Sequence, residues 1–305
     1  MIKLKNVTKT FEDFVAIDNV SCEIADGSIY GMVGSNGAGK STVLRTVCGV
    51  YQTDKGEVLF DEKGVFENPD VKKDLVFVSD DLYFLNSSTP KRMASLYKRI
   101  YPNFDFERFN ELLNYFNLDK NKLINTFSKG MKRQVAMILA LSCKPKYLFL
   151  DETFDGLDPV ARKFIKSLIY SDVAERNMTT VVTSHSLREL EELCDSLLLL
   201  HKGKVVLESD LGGLKQDNYK IQVAFNYSFD ETLFKDFKII GFQKQGSVCN
   251  FIVCEDKQKI KDFISEKNPV LFEILPLSLE EVFTVKMKDL GYDFDECFGG
   301  EDNEK

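Results

Sequence analysis

Nine consecutive residues, Gly34-Ser35-Asn36-Gly37-Ala38-Gly39-Lys40-Ser41-Thr42, follow the spacing G-x-x-x-x-G-K-[ST] in full. Glycines let successive backbone N–H groups turn inward, and inward amides make a nest for an anion. Asn36, Gly37, Ala38 and Gly39 lie where that nest is built. A helix opening near Lys40 adds the unpaired amides and positive pole of its first turn. The ligand these groups suit is a phosphate chain. Lys40 would reach its β- and γ-phosphates, Thr42 its α-phosphate, and the Ser41 hydroxyl a Mg²⁺ ion. A glycine turn that only capped a helix would leave Lys40 and Ser41 without a purpose.

A second pair of groups completes a hydrolytic reading. The run Lys146-Tyr147-Leu148-Phe149-Leu150 ends in Asp151-Glu152. Beside a phosphate loop, Asp151 would hold a Mg²⁺-bound water and Glu152 would polarise the attacking water. These residues together predict a nucleotide hydrolase that uses ATP and Mg²⁺.

Such residues need a scaffold. The buried run Ser28-Ile29-Tyr30-Gly31-Met32-Val33 reads as a strand feeding the glycine loop, and residues 40–48 as the helix that follows. Alternation predicts strands at 2–8 and 20–24, a β-rich stretch continues to about residue 63, and Leu75–Val78 is a further core strand. Residues 90–141 carry apolar side chains at helical spacing, interrupted at Tyr101-Pro102-Asn103 and at Thr126–Gly130. Strand runs at 146–150 and 179–183 then predict a mostly parallel sheet covered on both faces. Beyond residue 218 the order is strand 219–225, helix 231–236, strands 237–243 and 248–254, helix 256–266, strand 270–275 and a helix from Ser278, a βαββαβ pattern. Residues 209–217 read as a linker, and the acidic end from Asp289 as a frayed tail.

Bulk properties narrow the class. The net charge of −8 argues against nucleic acid as the main partner. The cysteine count of 7 is odd and no CxxC pair occurs, so the thiols read as small buried side chains in a reducing compartment. No signal-like apolar segment opens the chain, and no run of about 18 apolar residues exists. Any membrane role is therefore expected through a partner.

Further motifs extend the pattern. They are Phe127-Ser128-Lys129-Gly130-Met131-Lys132-Arg133-Gln134, Thr153-Phe154-Asp155-Gly156-Leu157-Asp158, His185 after Val181-Val182-Thr183-Ser184, and Phe11 within Thr8–Glu12. With these the chain resembles the ATP-binding subunits of ABC transporters, within them the bacterial export and drug-resistance branch with separate membrane chains. The resemblance is close over residues 2–208 and looser beyond, where Pro276–Phe283 is similar to a closing segment of that branch. It implies a P-loop, ABC-type α/β core over 1–208 with a mixed, mostly parallel sheet, an antiparallel β subdomain and a helical subdomain at about 83–141. A small α+β domain over 218–288 would follow.

The resemblance also assigns roles. Ser128 and Gly130 would contact the γ-phosphate of ATP held by the other subunit of a head-to-tail dimer, homodimeric or heterodimeric. Lys129 and Met131 depart from the commoner Ser-Gly-Gly-Gln form but keep the hydroxyl and the bare amide. Independently, Ser128 reads as the N-cap of the helix that follows it. Asp158 falls at the dimer interface, His185 matches the switch histidine, and Phe11 the adenine-stacking ring with Val15 nearby. Phe11 is explained as well by packing. Asp80, or Asp81 beside it, takes the sensor position where many relatives carry Gln, reaching Mg²⁺ through water. His201 reads as an exposed turn residue.

The helical segment at 83–126 is where relatives dock a multi-spanning membrane subunit at the inner face of the cell membrane. Tyr83, Phe84, Leu85 and Tyr97 suit such a surface or an ordinary core. The tail would be a dimerisation module, a regulatory module or a folding cap. A GTPase is disfavoured because Asn121-Lys122-Leu123-Ile124 lacks the base-reading Asp. A chromosome-organising head would need a long coiled-coil insertion. The remaining alternative is a non-transport ATPase of the same type, acting on a ribosome or a nucleic-acid complex.

Overall fold

The computed structural model describes residues 1–211, 219–253, 257–275, 277–289 and 291. The chain divides into two compact units, Met1–Glu208 and Ser209–Lys305.

The first unit opens with a long hairpin, β1 (Ile2–Phe11) and β2 (Phe14–Ile24). Each strand runs further toward the turn than alternation predicted, because Phe11, Phe14 and Val15 at the tip stay exposed and break the in–out pattern. Then come β3 (Ile29–Val33), α1 (Lys40–Val47), β4 (Lys55–Phe60), β5 (Lys63–Gly64), α2 (Pro69–Lys72) and β6 (Leu75–Val78). The helical segment follows as α3 (Pro90–Ile100), α4 (Phe106–Tyr115), a 3-10 turn at Ile124–Thr126, and α5 (Lys129–Ser142). Its starts are set locally: Thr89 accepts from the Arg92 amide (3.2 Å), and Asp105 from the amides of Glu107 (2.9 Å) and Arg108 (3.0 Å). The unit closes with β7 (Tyr147–Asp151), α6 (Pro159–Arg176), β8 (Thr179–Ser184), α7 (Leu187–Glu191), β9 (Ser196–His201) and β10 (Lys204–Asp210).

Two sheets result. One has the order β2-β1-β4-β5 with antiparallel pairs; the other runs β10-β9-β3-β8-β7-β6, in which β9, β3, β8, β7 and β6 are parallel. Every residue of β3, β7 and β8 is buried, as a sheet covered on both faces requires. The inner faces of both sheets share a core with α1, among them Ile2, Ile17, Val43, Leu44, Phe149 and Leu198. Asp151 stands level with Thr183, and Val33 with Ser184, so the C-terminal tips of β7, β8 and β3 end together. That shared edge is where open α/β sheets place ligands. His201 is the last residue of β9 and only 8% exposed, which corrects the expectation of an exposed turn residue. The turn begins one residue later.

The second unit forms a four-stranded antiparallel sheet from β11 (Tyr219–Ala224), β12 (Ile239–Gln245), β13 (Val248–Val253) and β14 (Leu271–Leu275), in the order β12-β13-β11-β14. Two helices, α8 (Lys257–Glu266) and α9 (Leu279–Asp289), complete it. The helix expected at 231–236 is a single 3-10 turn, Glu231–Phe234. Phe234 and Phe237, three residues apart, both sink into the apolar face beside Ile260 and Ile264, a placement that the short turn already provides. Ser278 and Glu281 open α9 as a reciprocal cap: the Glu281 amide donates to Ser278 Oγ (3.2 Å), and the Ser278 amide to Glu281 Oε2 (2.9 Å). Ser209 and Asp210 belong to β10, whereas the rest of the expected linker from 212 and the tail from 292 lie outside the described residues.

Candidate nucleotide site

The glycine loop links β3 to α1 at the shared sheet edge. Gly39 caps the helix at φ 103°, and a Cβ there would stand 2.7 Å from the Ala16 carbonyl oxygen. Both the dihedral and the close approach demand glycine. Asn36, Gly37, Ala38, Gly39, Lys40, Ser41 and Thr42 line a cavity of about 340 Å³ together with Phe14, Ala16 and Glu152. Lys40 is 4% exposed. Its ammonium donates to the carbonyls of Gly34 (2.8 Å) and Ser35 (3.2 Å) and stands 3.2 Å from Glu152 Oε1.

Beneath the loop lies Asp151, fully buried. Its Oδ1 accepts hydrogen bonds from the hydroxyls of Ser41 (3.0 Å) and Thr183 (2.8 Å). Its Oδ2 is buried without a hydrogen-bond partner. An orphaned carboxylate oxygen is costly unless something compensates it. A hard cation does so, and the hydroxyl and carboxylate oxygens are the donors Mg²⁺ takes. Ser41 and Asp151 therefore fit that ion. Thr183, which fixes the carboxylate, was not singled out in the sequence; the signal was its place opposite Asp151 on the neighbouring strand.

Glu152 sits one residue past β7 with φ 47°, a left-handed conformation unusual outside glycine. Its amide donates to Thr183 Oγ1 (3.1 Å), and its carbonyl accepts from Arg133 Nη1 (2.7 Å). Asp155 and His185 stand close by, with His185 Nδ1 3.8 Å from Asp155 Oδ2. His185 is exposed and lies outside the cavity lining.

Other expected residues are placed elsewhere. The ring of Phe11 stacks edge-on against Tyr51 at 5.1 Å, with the Lys9 ammonium 5.4 Å from its centroid. Phe14, its cross-strand neighbour, is 65% exposed and lines the cavity, as Phe11 and Val15 do not. Ser128 caps α5 by accepting from the Met131 amide (3.2 Å). A Cβ on Gly130 would stand 2.9 Å from the Gly156 carbonyl, so this glycine also seats α5 against the turn after β7. Asp158 caps α6, accepting from the amides of Val160 (3.0 Å) and Ala161 (2.9 Å). Asp80 Oδ1 pairs with Arg133 Nη2 at 2.5 Å.

Comparison with known proteins gives a consistent set. A family model described as ABC transporter matches residues 17–155. The ABC transporter ATP-binding protein YtrB of Bacillus subtilis (strain 168) is 31% identical over 286 residues, 94% of this chain and 98% of the relative. The bacitracin transport ATP-binding protein BcrA of Bacillus licheniformis is 30% identical, covering 72% of this chain and 73% of its own. Among solved structures, the dimeric post-hydrolysis ATP-binding cassette MJ0796 bound to ADP and Pi aligns with TM-score 0.62 and 26% identity over 69% of this chain and 99% of that one.

Proposed function

We propose a function from a plain premise: the chain belongs to the ATP-binding subunits of ABC transporters. It hydrolyses ATP in a head-to-tail dimer, with itself or a related ATPase, and drives a separate membrane subunit. The observation that carries this reading is the meeting of Lys40, Ser41 and Glu152 around one cavity, with Asp151 set beneath.

The chemistry follows from these positions. The triphosphate takes the loop amides and draws the Lys40 ammonium away from the Gly34 and Ser35 carbonyls and from Glu152. Glu152, released, accepts a hydrogen bond from the attacking water and aligns it with the γ-phosphorus. Thr183 and Ser41 keep Asp151 in place. Ser41 and Asp151 would hold a Mg²⁺ ion, whose charge would offset that of the phosphate oxygens. Ser128 and the Gly130 amide of the second copy close on the γ-phosphate, and His185 steadies it from the β8 tip. Phosphate loss removes the bridge between the copies. Support for the dimer is the likeness to MJ0796, solved as a dimer.

No helix among the described residues is long and apolar enough to cross a membrane. The membrane partner is supported by an exposed patch. Tyr83 (79% exposed) and Leu85 offer an apolar surface before α3, while Phe84 and Tyr97 are half-buried. The subunit would thus sit on the inner face of the cell membrane. Likeness to a protein named for bacitracin transport supports a transport role, and we take its direction to be export. The second unit serves as an accessory module.

Glu152→Gln tests the reading. The variant should bind ATP with Mg²⁺, lose hydrolysis by about 100-fold or more, and elute as a dimer in size exclusion with ATP. A Glu152→Gln protein that stays monomeric and turns over normally would sink both the role and the dimer.

A further inference from the structure

Arg133 is a charged side chain only 2% exposed, near the start of α5. A guanidinium so placed needs its charge matched, and although its Nε is without a hydrogen-bond partner, both terminal nitrogens find one. Nη1 donates to the Glu152 carbonyl at 2.7 Å and Nη2 to Asp80 Oδ1 at 2.5 Å. One side chain thus ties three segments: α5, the residue after β7, and the loop after β6.

What it ties is the residue that matters for hydrolysis. Glu152 holds a left-handed φ of 47°, and such a conformation persists only where its surroundings over-determine it. The peptide is gripped on both sides. Its amide donates to Thr183 Oγ1 (3.1 Å) and its carbonyl is held by Arg133. Gly130, three residues before Arg133, packs on the Gly156 carbonyl and seats the same end of α5 against the same turn.

We propose that Arg133 is a positioning residue for hydrolysis, fixing the Glu152 backbone so that its carboxylate meets the phosphate loop, and that Asp80 serves as the counter-ion of Arg133 in place of a metal role. The inference rests on the ATPase reading above. It makes the sensor position a strut: any shift of α5 against β7 is transmitted to the Glu152 peptide through one guanidinium.

The test compares full-length wild type with Asp80→Asn, Arg133→Gln, the double variant and Arg133→Lys. Affinity for a fluorescent ATP analogue, initial rates across ATP and Mg²⁺, and thermal melting are measured on each. Asp80→Asn and Arg133→Gln should each lower kcat about tenfold or more, with KM for ATP and half-saturating Mg²⁺ within about twofold of wild type. The double variant should be no slower than Arg133→Gln alone, and Arg133→Lys should recover part of the rate. Asp80 is half-exposed, so Asp80→Asn decides the matter even where Arg133→Gln folds poorly. A raised Mg²⁺ requirement confined to Asp80→Asn would make it a metal donor and overturn the proposal. So would wild-type kcat in both single variants, or losses that multiply in the double variant. Wild-type protein that hydrolyses no ATP would overturn the ATPase reading itself, and this inference with it.

Discussion

Phe14 and Phe11 face each other across a two-residue turn, yet only Phe14 is free of a ring partner among the described contacts and lines the cavity. A flat ring beside a phosphate loop is placed to stack on a base. Phe14→Ala should weaken ATP binding about 5- to 10-fold, in keeping with roughly 1 kcal/mol of stacking. It should leave inorganic tripolyphosphate binding unchanged, since that ligand has no base. Calorimetric titration of both ligands into Phe14→Ala and Phe11→Ala decides the assignment; a larger loss in Phe11→Ala would reverse it. The choice between these rings was invisible in the sequence, because both lie at one hairpin tip and neither follows an alternating pattern. The phosphate loop was fully legible, since its chemistry is contiguous and its backbone demands particular residues. The Arg133–Asp80 pair was not, because its partners stand 53 residues apart and meet only when α5 packs.

Between elements, the anchor of the helical segment is Asp172 on α6, 3% exposed. Arg108 of α4 grips it with two bonds of 2.8 Å, and Arg176, one turn along α6, adds two more contacts through Nε (3.1 Å) and Nη2 (2.9 Å). Bidentate pairing of this kind fixes orientation as well as distance. Asp172→Asn removes the charge but keeps the shape, leaving the Arg108 guanidinium without its anion. The expected cost is about 3 kcal/mol of stability, read as a lower denaturant midpoint; a change below about 0.5 kcal/mol would show the pair to be dispensable. In this segment the caps at Thr89 and Asp105 emerge from the structure, whereas the helix start at Ser128 could be read from the sequence, as a capping side chain before an apolar-periodic run. The single 3-10 turn at Glu231–Phe234 could not, because two phenylalanines three residues apart satisfy a helix and a tight turn equally well.

Across the whole molecule, several carboxylates are held below their ordinary range by partners distant in sequence. Lys146, then the N-terminal amine, lower Asp61; Lys9 lowers Asp54; Lys144 lowers Asp105. A depressed carboxylate stabilises the fold above its unfolded value and loses that contribution as pH falls through the folded one. Melting temperature should therefore stay level from neutral pH down to about pH 5 and fall below about pH 4. Asp61→Asn should melt below wild type at pH 7 and converge on it in acid; a gap that widens on acidification would contradict the sign. The buried thiols point the same way. Burial raises the Cys22 thiol to about 12 and the Cys48 thiol well above its usual value, so neither should react with alkylating reagents until the fold opens.

The set of partners around Lys40 has a consequence for selectivity in a phosphate-rich milieu. Its three protons already have three takers, two carbonyls and a carboxylate. A small anion arriving alone would meet only part of the loop, whereas a triphosphate brings enough oxygens to engage the ammonium and the loop amides along its whole length in the same event. Free phosphate should therefore compete weakly with a triphosphate for this seat.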